Sequence, residues 1–350
     1  MKRKFSRKAL VALFAVSALA LSACSSGDDA SGDVKVSLIL KNQTNPFFVS
    51  MVKGAEAKAA ELGIDLTISS GKEEGDDAAQ IAAIENAISA KHAGIVITVM
   101  STNVNAAITK AREAGLLVIA LDTPTDPADI ADITFATDNR EAGRLIGQWG
   151  AKKLGGQKAV IALLNIFDDR VSPVDYLRDN GFLEGMGIPV NDPNKMADEA
   201  KKGKYSGGDY EIVGNVATGA NEDGGRSGME KLLARNPNIN IVYTINEPTA
   251  IGACAALKAA KKTAIVVSVD GGLSGIEAVK SGCIGATSQQ YPLRMADIGL
   301  QAIYDLVQSG KKPEVTPGKD FFDTGVTLIT DDPQDGVPSE STQYGIDNAW

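Results

Sequence analysis

Four apolar runs of this 350-residue chain end in a side chain that can accept hydrogen bonds. "VIALD" ends in Asp122, "VIALLN" in Asn165, "VYTIN" in Asn246 and "VVSVD" in Asp270. Asp and Asn at such ends often cap the following helix. Capping suits Asn246, because "EPTA" opens a helix at once, and a ligand role stays open beside it. It suits Asp122 less, since "TPTDPAD" follows with two prolines, and Asp270 less, since "GGLSG" follows. Carboxylates and amides gathered without metal-ligand spacing suit an uncharged ligand rich in hydroxyls. A carboxylate can hold two hydroxyls through charge-assisted bonds. Such a ligand also has a C–H face that needs an apolar plate. "NPFF", residues 45–48, offers two rings in a chain that is only 5% aromatic. Adjacent helix residues point about 100° apart, so one core face does not easily take both.

The elements that would position these groups alternate. "VKVSLIL" (34–40) reads as a strand. The helix after it carries Phe48, Val52, Ala55, Ala59 and Leu62 as one buried stripe. This puts Phe47 off the stripe and toward a cleft. "IDLTIS", "GIVITV" and "LLVIAL" follow, with helices over 77–90 and 103–114 between them. A second series starts near 139 and runs through "AVIALL", "YEIVGNV", "NIVYTI", "AIVVSV" and "CIGAT" to "GVTLIT". Strands alternating with helices imply α/β architecture with parallel sheets covered on both faces. Two runs imply two similar lobes, and ligands in such sheets lie beyond the carboxyl ends of the strands. The polar stretch 190–209 interrupts the rhythm and reads as a surface excursion.

The first 23 residues stand apart: a basic start, an apolar run, then "LSAC". This is an export signal. Its ending resembles a bacterial lipobox, so lipidation of Cys24 is expected, with plain signal-peptidase cleavage as the alternative. Residues 24–33 are small, polar and acidic, a flexible tether. The signal holds five Lys/Arg and no acid, leaving 30 basic and 44 acidic side chains, net −14. That charge opposes nucleic acid and anionic lipid, so membrane contact is expected only through the anchor. Export permits a disulfide between Cys254 and Cys283, and two buried thiols remain the alternative.

"NPFF", "ALD", "R-x-x-GF" at Arg178, "IN-E" and "SVDGG", in this order, resemble the bacterial ABC-transporter binding proteins for simple sugars, of ribose and fructose type. The resemblance covers about residues 34–330. It implies two doubly wound lobes joined by three hinge strands near 137–138, 290–291 and 322–323. One lobe would be 34–137 with 291–322, the other 138–290 with 323–350. It implies a ligand set of Asn45, Phe47, Phe48, Asp122, Arg178, Asn246, Asp270 and Gln290. A surface position on its helix is the alternative for Arg178. Two departures stand out. Thr123 occupies a position where ribose binders usually carry Arg, and Ala220 one where they carry a ring. Thr218, Asn221 and Glu222 are the polar groups expected to compensate, and "TGANEDGGRSGMEKLL" and "DTGVTLIT" look more like fructose-type members.

The implied protein is monomeric, exported and anchored outside the cytoplasmic membrane. It would pass a monosaccharide, D-fructose or a similar hexose, to a permease powered by a separate ATPase, and it needs no cofactor or metal. An enzyme is the competing class, but the single His, His92, falls in a loop at the wrong sheet edge. No metal, nucleophile-elbow or phosphate-loop pattern is present, and "GKEEGDDA" (71–78) reads as a solvated acidic loop. A regulator of the same fold would need a DNA-binding segment where the export signal stands. A sensor presenting its ligand to a chemoreceptor or kinase is the alternative to transport.

Overall fold

The computed structural model describes residues 34–350. The export signal, Cys24 and the tether lie outside the described residues. Two sheets organise the rest. The first has six strands, all parallel: β1 (Val34–Leu40), β2 (Ile64–Ser70), β3 (Gly94–Ile97), β4 (Leu117–Leu121), β5 (Ile133–Ala136) and β12 (Phe322–Asp323), in the order β12-β5-β4-β3-β1-β2. The second has seven strands. β6 (Ala159–Asn165), β8 (Gly208–Ala217), β9 (Ile241–Thr244), β10 (Ile265–Asp270) and β11 (Ala286–Gln289) are parallel. β7 (Lys202–Tyr205) and β13 (Thr327–Ile329) add antiparallel edges. β5 and β12 extend the first sheet beyond the four strands that periodicity reveals, because "ITFA" and "FD" are too short to carry a period.

Among the described residues ten α-helices cover the sheets: α1 (Pro46–Leu62), α2 (Asp77–Ser89), α3 (Asn105–Glu113), α4 (Asn139–Lys153), α5 (Pro173–Met186), α6 (Glu222–Arg235), α7 (Glu247–Ala259), α8 (Leu273–Lys280), α9 (Pro292–Ser309) and α10 (Thr342–Asp347). Each sheet has an apolar cluster on both faces. The chain passes between the lobes three times: between β5 and α4, between β11 and α9, and between β12 and β13. Asp323 still pairs with Ala136 in the first sheet, so the last passage follows it. Nor is 323–350 wholly second-lobe, because Trp350 packs on the first-lobe core.

Close packing of α4 on α5 fixes one wall of the cleft. Gly143 and Gly147 face Gly181 and Gly185. A Cβ on Gly143 would meet the Arg178 carbonyl, and one on Gly181 the Arg140 carbonyl. Small residues four apart on both helices therefore let the backbones touch, which brings Asn139 at the start of α4 beside Arg178 of α5.

The excursion 190–209 ends in a hairpin rather than a free loop: β7 pairs with β8, and Tyr205 and Tyr210 bury their rings. Cys254 of α7 and Cys283 before β11 are joined in a disulfide. His92 is half-buried at the amino edge of β3, with Nδ1 2.9 Å from Ser37 Oγ, far from the strand ends that matter below.

Candidate functional site

The carboxyl ends of both sheets face each other across a pocket. From the first lobe come Lys41 after β1, Asn45, Phe47 and Phe48 at the start of α1, Glu74 after β2 and Asp122 after β4. The second lobe brings Arg178 of α5, Asn246, Asp270, Ala220 and the aliphatic Ile166, Val174 and Ile245. The enclosed space is about 30 Å³. A larger hollow of about 390 Å³ opens on the flank beside Asp126, Asp138 and Tyr176. The smaller one is where the strand-end carboxylates meet Arg178, and Arg178, Asp122 and Asp270 are each 4% exposed.

Arg178 is the junction. Its Nε donates to Asn139 Oδ1 at 2.8 Å and its Nη1 to the Ile245 carbonyl at 3.0 Å. Nη2 donates to Asp122 Oδ1 at 3.4 Å, and Nη1 lies 4.0 Å from Asp270 Oδ1. The surface alternative for this residue is thus excluded. Asp122 takes a second bond from Thr123 Oγ1 at 2.9 Å. Both acids occupy backbone that non-glycine residues rarely adopt, with φ of 63° at Asp122 and 145° at Asp270. Such conformations cost energy and concentrate where a site needs them.

Asp270 accepts from Gln290 Nε2 at 3.1 Å through Oδ1, while its Oδ2 is buried with no donor among the described residues. Burial pushes this carboxyl up to about 7, against the pull of Arg178. Glu247 holds the loop beneath it, accepting from Gly271 N, Gly272 N and the Thr287 hydroxyl. Burial, and then Asp270, drive its carboxyl upward too. Asp175 fixes the other wall by accepting from the Ile166 and Phe167 amides.

Several expectations need correction. Phe47 is not exposed: it is 3% accessible and Phe48 4%. The buried face of α1 is rotated from the expected stripe. Phe47, Met51 and Ala55, spaced by four, lie inward, while Val52 is only half-buried. The two rings meet edge to face at 5.4 Å. Thr218 spends its hydroxyl on the Asn165 carbonyl, and Asn221 is exposed, capping α6 at Gly224 N. Neither lines the pocket, nor does Thr123, which only braces Asp122. Gln290 lies behind Asp270. Asn246 does cap α7, through Thr249 N, yet also lines the pocket and donates to the Ala220 carbonyl. Asn45 likewise caps α1 at Phe47 N while lining it. Ala220, at φ 54°, packs with Ile166, Val174 and Ile245, so an aliphatic wall stands opposite the rings.

Lys41 and Glu74 are the residues that sequence reasoning missed. They pair at 3.3 Å, almost fully buried, and Asn42 Nδ2 donates to Glu74 at 3.0 Å. The acidic loop is therefore not simply solvated. Burial pushes Glu74 upward, and Lys41 opposes it. The signal was present in "LILK", a charged residue closing an apolar strand like Asp122, but the Glu74 partner lies 33 residues on.

The lobes are closed over this pocket. Arg170 of the second lobe donates to the Gly75 carbonyl at 2.7 Å and to Asp77 Oδ2 at 3.1 Å in the first. Thr102 N donates to the Val171 carbonyl at 3.1 Å, and Tyr176 Oη to Asp126 Oδ2 at 3.2 Å. Among the described residues no group of three or more His, Cys, Asp or Glu side chains is placed to hold a metal ion.

Residues 36–312 match the periplasmic binding protein domain family. The chain belongs to this family. Among relatives in it, the ribose import binding protein of Haemophilus influenzae is 29% identical over 309 residues, covering 88% of this chain and 96% of its own. The D-allose-binding periplasmic protein of Escherichia coli is 26% identical over 302 residues, covering 84% and 91%. Among solved structures, an ABC transporter solute binding protein from Agrobacterium vitis with bound D-fucose superposes with a TM-score of 0.71. It is 26% identical, with 85% of this chain and 95% of that one covered. The two α/β lobes joined by three passages are the observed architecture, and the superposition on the fucose-bound structure spans 85% of the chain.

Proposed function

We propose that this chain is the extracytoplasmic sugar-binding component of a carbohydrate ABC importer. The observation that carries this reading is Asp270 Oδ2, buried with no donor among the described residues in the pocket it shares with Asp122, Arg178 and the Phe47–Phe48 pair. A buried acceptor of this kind needs a donor. A ligand hydroxyl supplies one. Asp122 takes further hydroxyl protons from the first lobe, Arg178 donates to a ring or hydroxyl oxygen, and the rings cover a C–H face. The relatives that bind ribose and allose support a monosaccharide. Closure would bury it and offer a permease a shape distinct from the open one. The ATPase partner provides the energy. Lipidation at Cys24 would tether the monomer to the outer face of the cytoplasmic membrane.

Among sugars the reading favours D-fructose or a similar hexose over D-ribose. Thr123 offers no guanidinium, and Lys41 brings a cation from another strand instead. Ala220 and its aliphatic neighbours take less room than a ring, and the reading assigns that difference in side-chain volume to an exocyclic hydroxymethyl group. A site whose buried polar groups go unmatched discriminates strongly.

Calorimetry on the chain beginning after Cys24 tests this with D-fructose, D-ribose, D-allose, D-glucose, D-galactose and xylitol. D-fructose should bind most tightly. D-ribose binding equally well, or D-fructose giving no heat, rejects the fructose assignment. Silence from all six rejects the sugar reading. Cys24→Ala should release the full chain from membranes, and unchanged retention would reject the anchor.

A further inference from the structure

Trp350 touches both halves of the pocket without lining it. Its ring meets Phe47 edge to face, with centroids 5.4 Å apart and planes at 86°, and it packs on the first-lobe core. Its indole N–H donates to the Gln290 carbonyl at 3.0 Å. A Cβ on Gly272 would come within 2.8 Å of the same ring, so the indole also covers the loop that follows Asp270. Gln290 is bound to Asp270 twice, through its backbone amide to the Asp270 carbonyl at 2.8 Å and through Nε2 to Oδ1 at 3.1 Å. One side chain therefore buttresses the aromatic plate of the first lobe and the carboxylate clamp of the second. It does so beside the passage between β11 and α9, where the lobes pivot.

Tryptophan suits this place for two reasons. Its area covers Phe47, and its single donor finds a partner in the Gln290 carbonyl. Gly272 is the matching concession, since any side chain there would collide with the indole.

We infer that Trp350 is a positioning residue for ligand binding: it fixes the ring plane of Phe47 and the Gln290–Asp270 pair together, so that the two halves of the site are set by one contact. The inference rests on the sugar-binding reading above. It carries a spectroscopic consequence. Phe47 belongs to the first lobe, Gln290 and Gly272 to the second, so lobe movement on binding changes the surroundings of the indole. The chain has two tryptophans, and Trp149 is buried in the second-lobe core, donating to the Asp332 carbonyl. A ligand-dependent emission change therefore reports Trp350.

The experiment is calorimetry and tryptophan emission on the wild type, Trp350→Phe and Trp350→Ala, each with D-fructose, D-ribose and D-allose. Trp350→Ala should weaken the best-binding sugar by about tenfold or more, from the lost ring contact and hydrogen bond together. Trp350→Phe, which keeps a ring against Phe47, should recover part of that loss. The sugar-induced emission change of the wild type should vanish in Trp350→Phe, which folds even where the Ala variant does not. Affinity in Trp350→Ala within about twofold of wild type, or an emission change that persists in Trp350→Phe, overturns the inference while leaving the sugar reading in place. Wild type that binds none of the three sugars overturns that reading and this inference with it.

Discussion

Arg178 Nη2 lies 3.4 Å from Asp122 Oδ1 across the two lobes, both side chains almost fully buried. The pair joins the lobes and lines the pocket in one contact. A buried charge is tolerable only while it is paired and hydrogen-bonded, and Arg178 has Asn139, Ile245 O and Asp122 to satisfy it.

Arg178→Ala leaves Asp122 and Asp270 facing each other without the guanidinium that contacts both. Breaking a buried pair by removing one member costs about 3–5 kcal/mol, so a lower melting temperature and a sugar affinity reduced by more than tenfold, roughly the scale of 1.4 kcal/mol, are expected. Arg178→Lys should recover charge but not the fork of bonds. Thermal unfolding and calorimetry on both variants check this, and wild-type affinity in Arg178→Ala would refute the ligand role.

The pH dependence of stability and of binding should run in opposite directions. Burial raises Asp175 and Asp270 to about 7, well above the unfolded value. A raised carboxyl favours the protonated folded state, so its contribution is complete below about pH 4 and is lost as pH climbs through about 7. The ligand-free protein should melt higher at pH 5 than at pH 8. Hydroxyls donated to Asp270 favour its ionised form, so sugar affinity should instead rise through the same window. Asp270→Asn should flatten the affinity profile. A profile unchanged in that variant would assign the dependence elsewhere.

The two rings should now behave alike. Phe47 and Phe48 are both buried, so each Phe→Ala change is expected to cost about 3–5 kcal/mol of stability as well as affinity. Chemical denaturation separates this from a binding-only loss at Phe47, which would mean that the ring moves clear of the core in solution.

Arg170 bridges the lobes without lining the sugar pocket. Arg170→Gln should leave the pocket's contacts intact and weaken affinity by about ten- to a hundredfold, the scale of one hydrogen bond to a charged group. Most of the change should fall on the dissociation rate, because the latch exists only when the lobes meet. Stopped-flow binding with D-fructose measures both rates, and an altered association rate alone would contradict the latch.

Local sequence determined the strand-and-helix alternation, hence the two lobes, because apolar period depends on near neighbours alone. It also determined which polar side chains leave strand ends: Asp122, Asn246 and Asp270 could be named from their runs and line the pocket, whereas Asn165, named the same way, is buried outside it. β5 and β12 were too short to show a period. Pairings decided by lobe closure and chain passage were not legible. Lys41 meets Glu74 across 33 residues, Arg170 meets Asp77 across 93, and Trp350 meets Phe47 across nearly the whole described chain. The apparent surplus of a second ring in "NPFF" shows the reason. A helix period predicts which side of α1 faces its own sheet, but the cover over Phe47 comes from a residue that only the tertiary structure carries back to it.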